Sequence, residues 1–196
     1  MKRLYKTLGI VAILIAGLAM AFVFLGLFVD EVEYTASTSV EAPVAETWAT
    51  FMDEDRTSEW LTGFLHVEQI SGSPGEIGAR YRMHFADDVI VEETVTEIVP
   101  LERYGFDLKT DFFTGSTTVE FVEVAGVTEI DQTVSIRGTS FVWRALLPVF
   151  KSMMASQATA MLDSLGMLVE MNPTAVEIAA PESTQPVLDE NTAPEN

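Results

Sequence analysis

The chain has 196 residues and carries 30 acidic side chains against 11 basic ones, giving a formal net charge of −19. A chain this acidic repels phosphate backbones, which excludes nucleic-acid binding as its function. There is no cysteine, and the two histidines do not form a cluster with zinc-ligand spacing, so neither a metal nor a cofactor is predicted. Glycine-rich phosphate loops and the G-x-S-x-G nucleophile motif are also missing from the sequence.

Residues 8–29 form a run of 22 positions without a charged or strongly polar side chain. A helix of this length crosses a hydrocarbon core roughly 30 Å thick, at about 1.5 Å per residue. Ala19-Met20-Ala21 has the small-x-small form of a signal cleavage site, but residues 22–29 stay equally apolar. We therefore favour an uncleaved transmembrane anchor over a cleaved secretory signal.

Charge around the apolar run predicts its orientation. Residues 1–7 contain Lys2, Arg3 and Lys6, whereas all 30 acidic residues follow the run. Because basic residues tend to stay on the cytoplasmic side, the predicted topology is single-pass with a cytoplasmic N-terminus. The main domain is then extracytoplasmic, and periplasmic if the source is bacterial.

Residues 30–171 are predicted to form one domain that begins with a strand at 33–40 and two short helices. Pro43 suits the first turn of a helix that places Val44, Trp48 and Phe51 on one side, and residues 57–61 indicate a second short helix. Alternating and β-branched segments then predict six more strands, at 64–70, 79–85, 89–99, 103–109, 116–124 and 127–136.

The last predicted element is a long amphipathic helix from about Pro148 to Met171, with Pro148 placed in its first turn because proline disrupts a helix interior. Residues 172–196 hold four prolines, five acids and no cation or aromatic residue. Such a segment cannot bury enough apolar surface to offset its ordering entropy, so a disordered acidic tail is predicted.

This order of elements predicts an α+β fold, in which one long helix covers one face of an antiparallel sheet of about seven strands. If the sheet curves around the helix, the two need not touch along their full length. The sequence therefore predicts an elongated cavity between them.

The chain resembles the SRPBCC or START-like helix-grip superfamily, which includes lipid-transfer domains, polyketide cyclases and coenzyme Q-binding proteins. The resemblance covers roughly residues 33–171, and its motifs follow the family order: Ser39 to Trp48 with Ala42-Pro43, Asp53 and Trp60, Gly72, Gly75 and Gly78, Pro100 and Arg103, Gly126-Val127-Thr128, and Leu165 to Glu170. It implies a cavity for hydrophobic molecules, and it does not imply a reaction. The N-terminal membrane segment is an addition to the family pattern.

Eleven residues are predicted to line a ligand cavity, since they fall on the inward faces of strands and of the last helix or, for Trp60, near the mouth that the resemblance implies. They are Trp60, Tyr81, Met83, Phe85, Tyr104, Phe106, Phe121, Gln132, Met154, Met161 and Leu165. Gln132 interrupts an apolar stripe, and a buried amide needs hydrogen-bond partners that a ligand could supply.

No catalytic residue is predicted. His84 shares a strand face with Arg80 and Arg82, opposite the apolar set, and a general acid or base would have to point inward. The acidic run of Asp53, Glu54, Asp55 and Glu59 is interpreted as solvated loop charge.

The leading functional hypothesis is a membrane-anchored domain that binds a hydrophobic small molecule, either a lipid or an isoprenoid. Two alternatives remain open: a cyclase- or dehydratase-like enzyme that uses the same cavity, and a protein-interaction module whose pocket has filled in.

Overall fold

The computed structural model describes residues 2–171, with the side chains of residues 2–5 and 8 left out of the description. The predicted acidic tail at 172–196 lies outside the described residues. The helices and strands follow one another in this order: α1 (Lys2–Phe28), β1 (Val32–Val40), α2 (Val44–Phe51), α3 (Thr57–Trp60), β2 (Phe64–Ser71), β3 (Arg80–Phe85), β4 (Ile90–Val99), β5 (Arg103–Lys109), β6 (Phe113–Val124), β7 (Val127–Gly138) and α4 (Phe141–Met171).

The seven strands form one antiparallel sheet in the order β1-β7-β6-β5-β4-β3-β2. Each strand from β2 to β6 pairs with the next along the chain, and β1 forms the opposite edge by pairing with β7 from Val32↔Ile136 to Val40↔Thr128. Strand β2 is therefore an edge strand. The predicted α+β helix-grip fold is confirmed.

The core lies between α4 and the β1–β7 side of the sheet. Val40, Ile130, Leu165 and Val169 are fully buried there. Gly166 permits the close approach, because a Cβ at this position would lie 3.2 Å from a methyl group of Val40. The terminal helix and the first strand are thus packed against each other without intervening space.

The predicted start of the last helix was wrong. Helix α4 begins at Phe141, so Pro148 lies inside it rather than in its first turn. Ser140 precedes the helix, and its carbonyl accepts a hydrogen bond from the Arg144 backbone N–H at 2.9 Å. Proline costs a helix interior about 3 kcal/mol, but Ala145 and Leu147 are buried on this added segment, and their packing outweighs that penalty.

Helix α1 contains a segment, Gly9–Phe28, that is long and apolar enough to cross a membrane. Only residues 29–31 separate α1 from β1. The last turns of α1 lie beside the first turns of α4, where the rings of Phe22 and Phe141 meet edge to face with centroids 6.0 Å apart. The apolar helix is therefore held directly against the sheet–helix domain.

Candidate functional site

A cavity of about 510 Å³ lies between the inner face of the sheet and helix α4. Its walls come from all seven strands, with β1 contributing Tyr34, from α2 and α3, and from the inward side of α4 between Met154 and Leu162. Pockets that hold small molecules commonly measure about 300–1,000 Å³. The sheet–helix space is therefore not filled by the protein's own side chains.

Nine of the eleven residues predicted to bind a ligand line this cavity: Trp60, Tyr81, Met83, Phe85, Tyr104, Phe106, Gln132, Met154 and Met161. They come together because Tyr81, Met83 and Phe85 alternate inward on β3, while Tyr104 and Phe106 do so on β5. Their part in ligand binding stays a prediction.

The structure places Phe121 and Leu165 in the packed core instead, with exposed fractions of 3% and 0%. Trp48 and Phe51 of α2 cover Phe121, with ring centroids 5.2 and 5.3 Å away. Sequence periodicity identifies the inward face of an element, but it cannot show which part of that face a neighbouring helix has already covered.

Trp60 stands at the cavity wall formed by α3. Its ring stacks on Phe51 with centroids 5.9 Å apart, and its indole Nε1 is buried without a hydrogen-bond partner among the described residues. Thr117 Oγ1 on β6 is also a buried atom of the cavity wall that lacks such a partner. Unpaired buried polar atoms cost stability, so both positions would gain from a guest that carries a polar atom.

Glu93 is one of the cavity-lining residues that our sequence reasoning missed. It lies on β4 and lines the cavity, where its carboxylate accepts a hydrogen bond from the Tyr104 hydroxyl at 3.1 Å. The signal was present in the sequence, since Glu93 stands between Val91 and Val95 at a spacing of two residues. In the structure it lies opposite Tyr81 of β3. An acidic residue in the middle of an inward-facing apolar set is therefore the pattern that identifies it.

Burial raises the pKa of Glu93 to about 7, and the nearby charge of Glu54 adds to this, whereas the hydrogen bond from Tyr104 lowers it. Burial and the neighbouring Glu93 likewise hold the pKa of Tyr104 above its usual range. The hydroxyl of Tyr81 accepts a hydrogen bond from the Gly75 backbone N–H at 3.2 Å, which leaves its own proton free to donate. The cavity thus combines an apolar lining with a small acid–hydroxyl cluster, formed by Glu93, Tyr104 and Tyr81.

The remaining candidates lie away from this cluster. His84 is outside the cavity wall, on the outer face of β3. Within the acidic run, Asp53 accepts a hydrogen bond from the Asp55 backbone N–H at 3.1 Å, and Glu59 pairs with Arg56 at 3.3 Å. Only Glu54 of that run reaches the cavity wall.

Several solved structures share this architecture. The chain is similar to the Zhui aromatase/cyclase from Streptomyces sp. R1128 (TM-score 0.63, 11% identity, 75% of this chain and 98% of that chain). It is also similar to a START superfamily protein from Mycobacterium smegmatis (TM-score 0.61, 12% identity, 71% and 97%) and to a protein from Thermus thermophilus (TM-score 0.59, 19% identity, 73% and 100%). At these identities the likeness shows the fold alone.

Comparison with curated proteins finds no match. The family model described as polyketide cyclase / dehydrase and lipid transport matches residues 31–170, which is the whole sheet–helix domain. The SRPBCC or START-like resemblance is therefore confirmed, and the chain belongs to the polyketide cyclase / dehydrase and lipid transport family.

Proposed function

We propose that this protein holds a lipid- or isoprenoid-binding cavity next to a membrane. The open cavity of about 510 Å³ carries the proposal, because it is lined mostly by aromatic, methionine and aliphatic side chains. Burying a guest's apolar surface against such a lining contributes about 25 cal/mol per Å². The hypothesis of an interaction module with a filled pocket lacks this support, because the space is open.

The membrane location is part of the same proposal. Residues Gly9–Phe28 would span the bilayer, with the basic residues before them in the cytoplasm and the sheet–helix domain outside it. Since three residues link α1 to β1, an anchored cavity stays close to the bilayer and can exchange guests with it. A cleaved signal peptide would instead release the domain, and the size of the mature protein distinguishes the two outcomes.

The acid–hydroxyl cluster favours a guest whose polar end is uncharged. A protonated Glu93 and the Tyr81 hydroxyl can donate to an alcohol, ketone or quinone oxygen. An anionic headgroup would be repelled by the charge of Glu54 and, above pH about 7, by ionised Glu93 as well. The guest class proposed is therefore a neutral, oxygen-bearing lipid or isoprenoid.

Retinol and retinoic acid test this choice, since they share one isoprenoid skeleton and differ in the charge of the end group. Delipidated full-length protein in detergent should bind retinol several-fold more tightly, and Glu93→Gln should reduce the difference when binding is measured above pH about 7. Equal binding of the two would contradict the neutral-guest assignment only. If neither compound binds saturably, and a fluorescent fatty acid and a quinone analogue do not bind either, the binding function itself is contradicted.

A cavity-blocking variant tests whether the guest binds inside the cavity. Met161 lines the cavity on α4, so Met161→Trp should abolish binding while circular dichroism stays native. Met167 lies on the same helix with a 55% exposed side chain, so Met167→Trp is the matched control and should bind normally. Equal affinity in both variants would show that the guest does not occupy the cavity.

Glu93 also supports a second candidate, a cyclase- or dehydratase-like reaction in the same cavity. General acid–base catalysis is most efficient when the pKa of the group lies near the working pH, and Glu93 meets that condition. A poly-β-ketone thioester analogue should then be converted by the native protein and not by Glu93→Gln. Binding without turnover would leave the cavity as a carrier site.

A further inference from the structure

The two histidines of this chain meet on the outer face of the sheet, on the side away from the cavity. His66 on β2 and His84 on β3 are direct cross-strand partners, and their rings stack with centroids 4.3 Å apart at an interplanar angle of 9°. Glu68 lies two residues beyond His66 on the same face. One carboxylate oxygen lies 3.8 Å from His66 Nε2, and the other lies 3.7 Å from His84 Nε2.

These contacts are too long for hydrogen bonds, and His84 Nε2 is buried without a partner among the described residues. One possible ligand atom from each of the three side chains lies within 4.8 Å of the other two. Zinc bonds of about 2.0–2.2 Å place two tetrahedral ligand atoms roughly 3.3 Å apart, and small side-chain rotations close the difference. Arg82, the cross-strand neighbour of Glu68, does not compete for its carboxylate, because Arg82 pairs with Glu92 at 3.0 Å.

We propose that His66, Glu68 and His84 bind one zinc-class divalent ion, with water in the remaining position. Two imidazoles and a carboxylate suit zinc and neighbouring transition metals better than calcium or magnesium. The ion would join edge strand β2 to β3. Since Phe64 and Val67 of β2 line the cavity, metal binding would also stiffen one cavity wall.

Zinc titration of the full-length chain, purified in detergent without a polyhistidine tag, tests this site by calorimetry. We expect one saturable equivalent, and we expect His66→Ala and His84→Ala each to weaken binding by more than about tenfold. Glu68→Gln, which removes the proposed carboxylate ligand, should also weaken binding. Glu120 has a similarly exposed carboxylate, so Glu120→Gln is the matched control and should leave the affinity unchanged. No saturable binding, or binding that survives both histidine variants, would overturn the proposal.

A second feature concerns the membrane side of the domain, and it rests on the proposed anchor. Phe141 packs against Phe22 and lies over Gly26, where a Cβ would come within 2.5 Å of the ring. Phe22 is six residues before the end of the apolar segment at Phe28, or about 9 Å along the helix axis. If α1 spans the bilayer, the first turn of α4 therefore lies below the membrane surface.

The exposed side chains on and beside the first turns of α4 suit a lipid environment. Val142, Val149 and Phe112 have exposed fractions of 50%, 66% and 42%, and Phe112 packs its ring on Trp143 with centroids 4.7 Å apart. The Arg144 Nε atom is buried without a hydrogen-bond partner among the described residues, and a guanidinium group pairs well with phosphate.

The geometry points to a second membrane contact, formed by Phe112 and the first turns of α4, which dip into the same bilayer leaflet that α1 leaves. Together with the packing of α1 against α4, this contact would fix the orientation of the domain on the membrane. The aromatic rings and Arg144 are typical of the membrane interface.

The absence of cysteine makes single spin labels straightforward. In nanodiscs, a label at Val142→Cys should be accessible to oxygen and protected from a water-soluble nickel reagent. Val122→Cys, on β6 and 51% exposed, is the matched control and should show the reverse. A label at Leu18→Cys reports whether α1 itself lies in the bilayer. Lipid exposure at 18 but water exposure at 142 would overturn this contact alone, whereas water exposure at 18 would overturn the anchor as well.

Discussion

The inner face of the sheet meets the terminal helix differently at its β1–β7 side and at its β3–β5 side. Beside β1 and β7, Val40, Ile130 and Leu165 have no exposed surface, and α4 lies directly on the strands. Beside β3 to β5, Met83 and Phe106 are only half-buried and face an open cavity. Equally apolar sequences thus produce a packed core on one side and a binding surface on the other, depending on whether the helix reaches them.

The largest expected effect comes from shortening one α4 side chain on the packed side and one on the cavity side. Leu165→Ala should lower the free energy of unfolding by about 2–5 kcal/mol, since the void it leaves is enclosed by packed neighbours. Met161→Ala should cost less than about 2 kcal/mol, because its side chain already borders open space. Urea unfolding of the detergent-solubilised chain measures both. Equal losses would show that the cavity side is packed as tightly as the core.

The acid–hydroxyl cluster provides a test by pH. Because the pKa of Glu93 is raised to about 7 in the folded protein, ionising it destabilises the fold as pH rises from about 4.5 to 7. Glu93→Gln removes this penalty. The free energy of unfolding of the variant should therefore exceed that of the native chain by up to roughly 3 kcal/mol above pH 7, and should equal it below pH 4. A stability difference independent of pH would contradict a cavity-facing, desolvated carboxyl.

A pair of buried threonines gives the smallest effect and the sharpest contrast. Thr128 Oγ1, on the packed side, donates to the Ala42 carbonyl at 2.7 Å, so Thr128→Val should cost about 1–2 kcal/mol. Thr117 Oγ1, on the cavity side, has no partner among the described residues, so Thr117→Val should be neutral or stabilising. Thermal unfolding compares them directly. A comparable loss at Thr117 would mean that its hydroxyl is already paired.

Much of the architecture could be read from local patterns. Alternation along residues 127–136 and 103–109 predicted strands that the structure confirms, because a strand with one buried face must repeat every two residues. The apolar run before Asp30 predicted a helix because an uninterrupted apolar stretch of this length is typical of a membrane-spanning helix. The inward faces of β3 and β5, and hence most of the cavity wall, also follow from period two.

The sequence by itself determined the element types, their order and which face of each strand is apolar, since these depend on neighbours only a few residues away. The tertiary structure alone decided three other features: the helical segment before Pro148, the meeting of His66 with His84, and the division of one apolar face into core and cavity. Each depends on contacts between residues distant in the chain. Packing at Ala145 and Leu147 outweighs a local proline penalty, and strand register brings two separate histidines together.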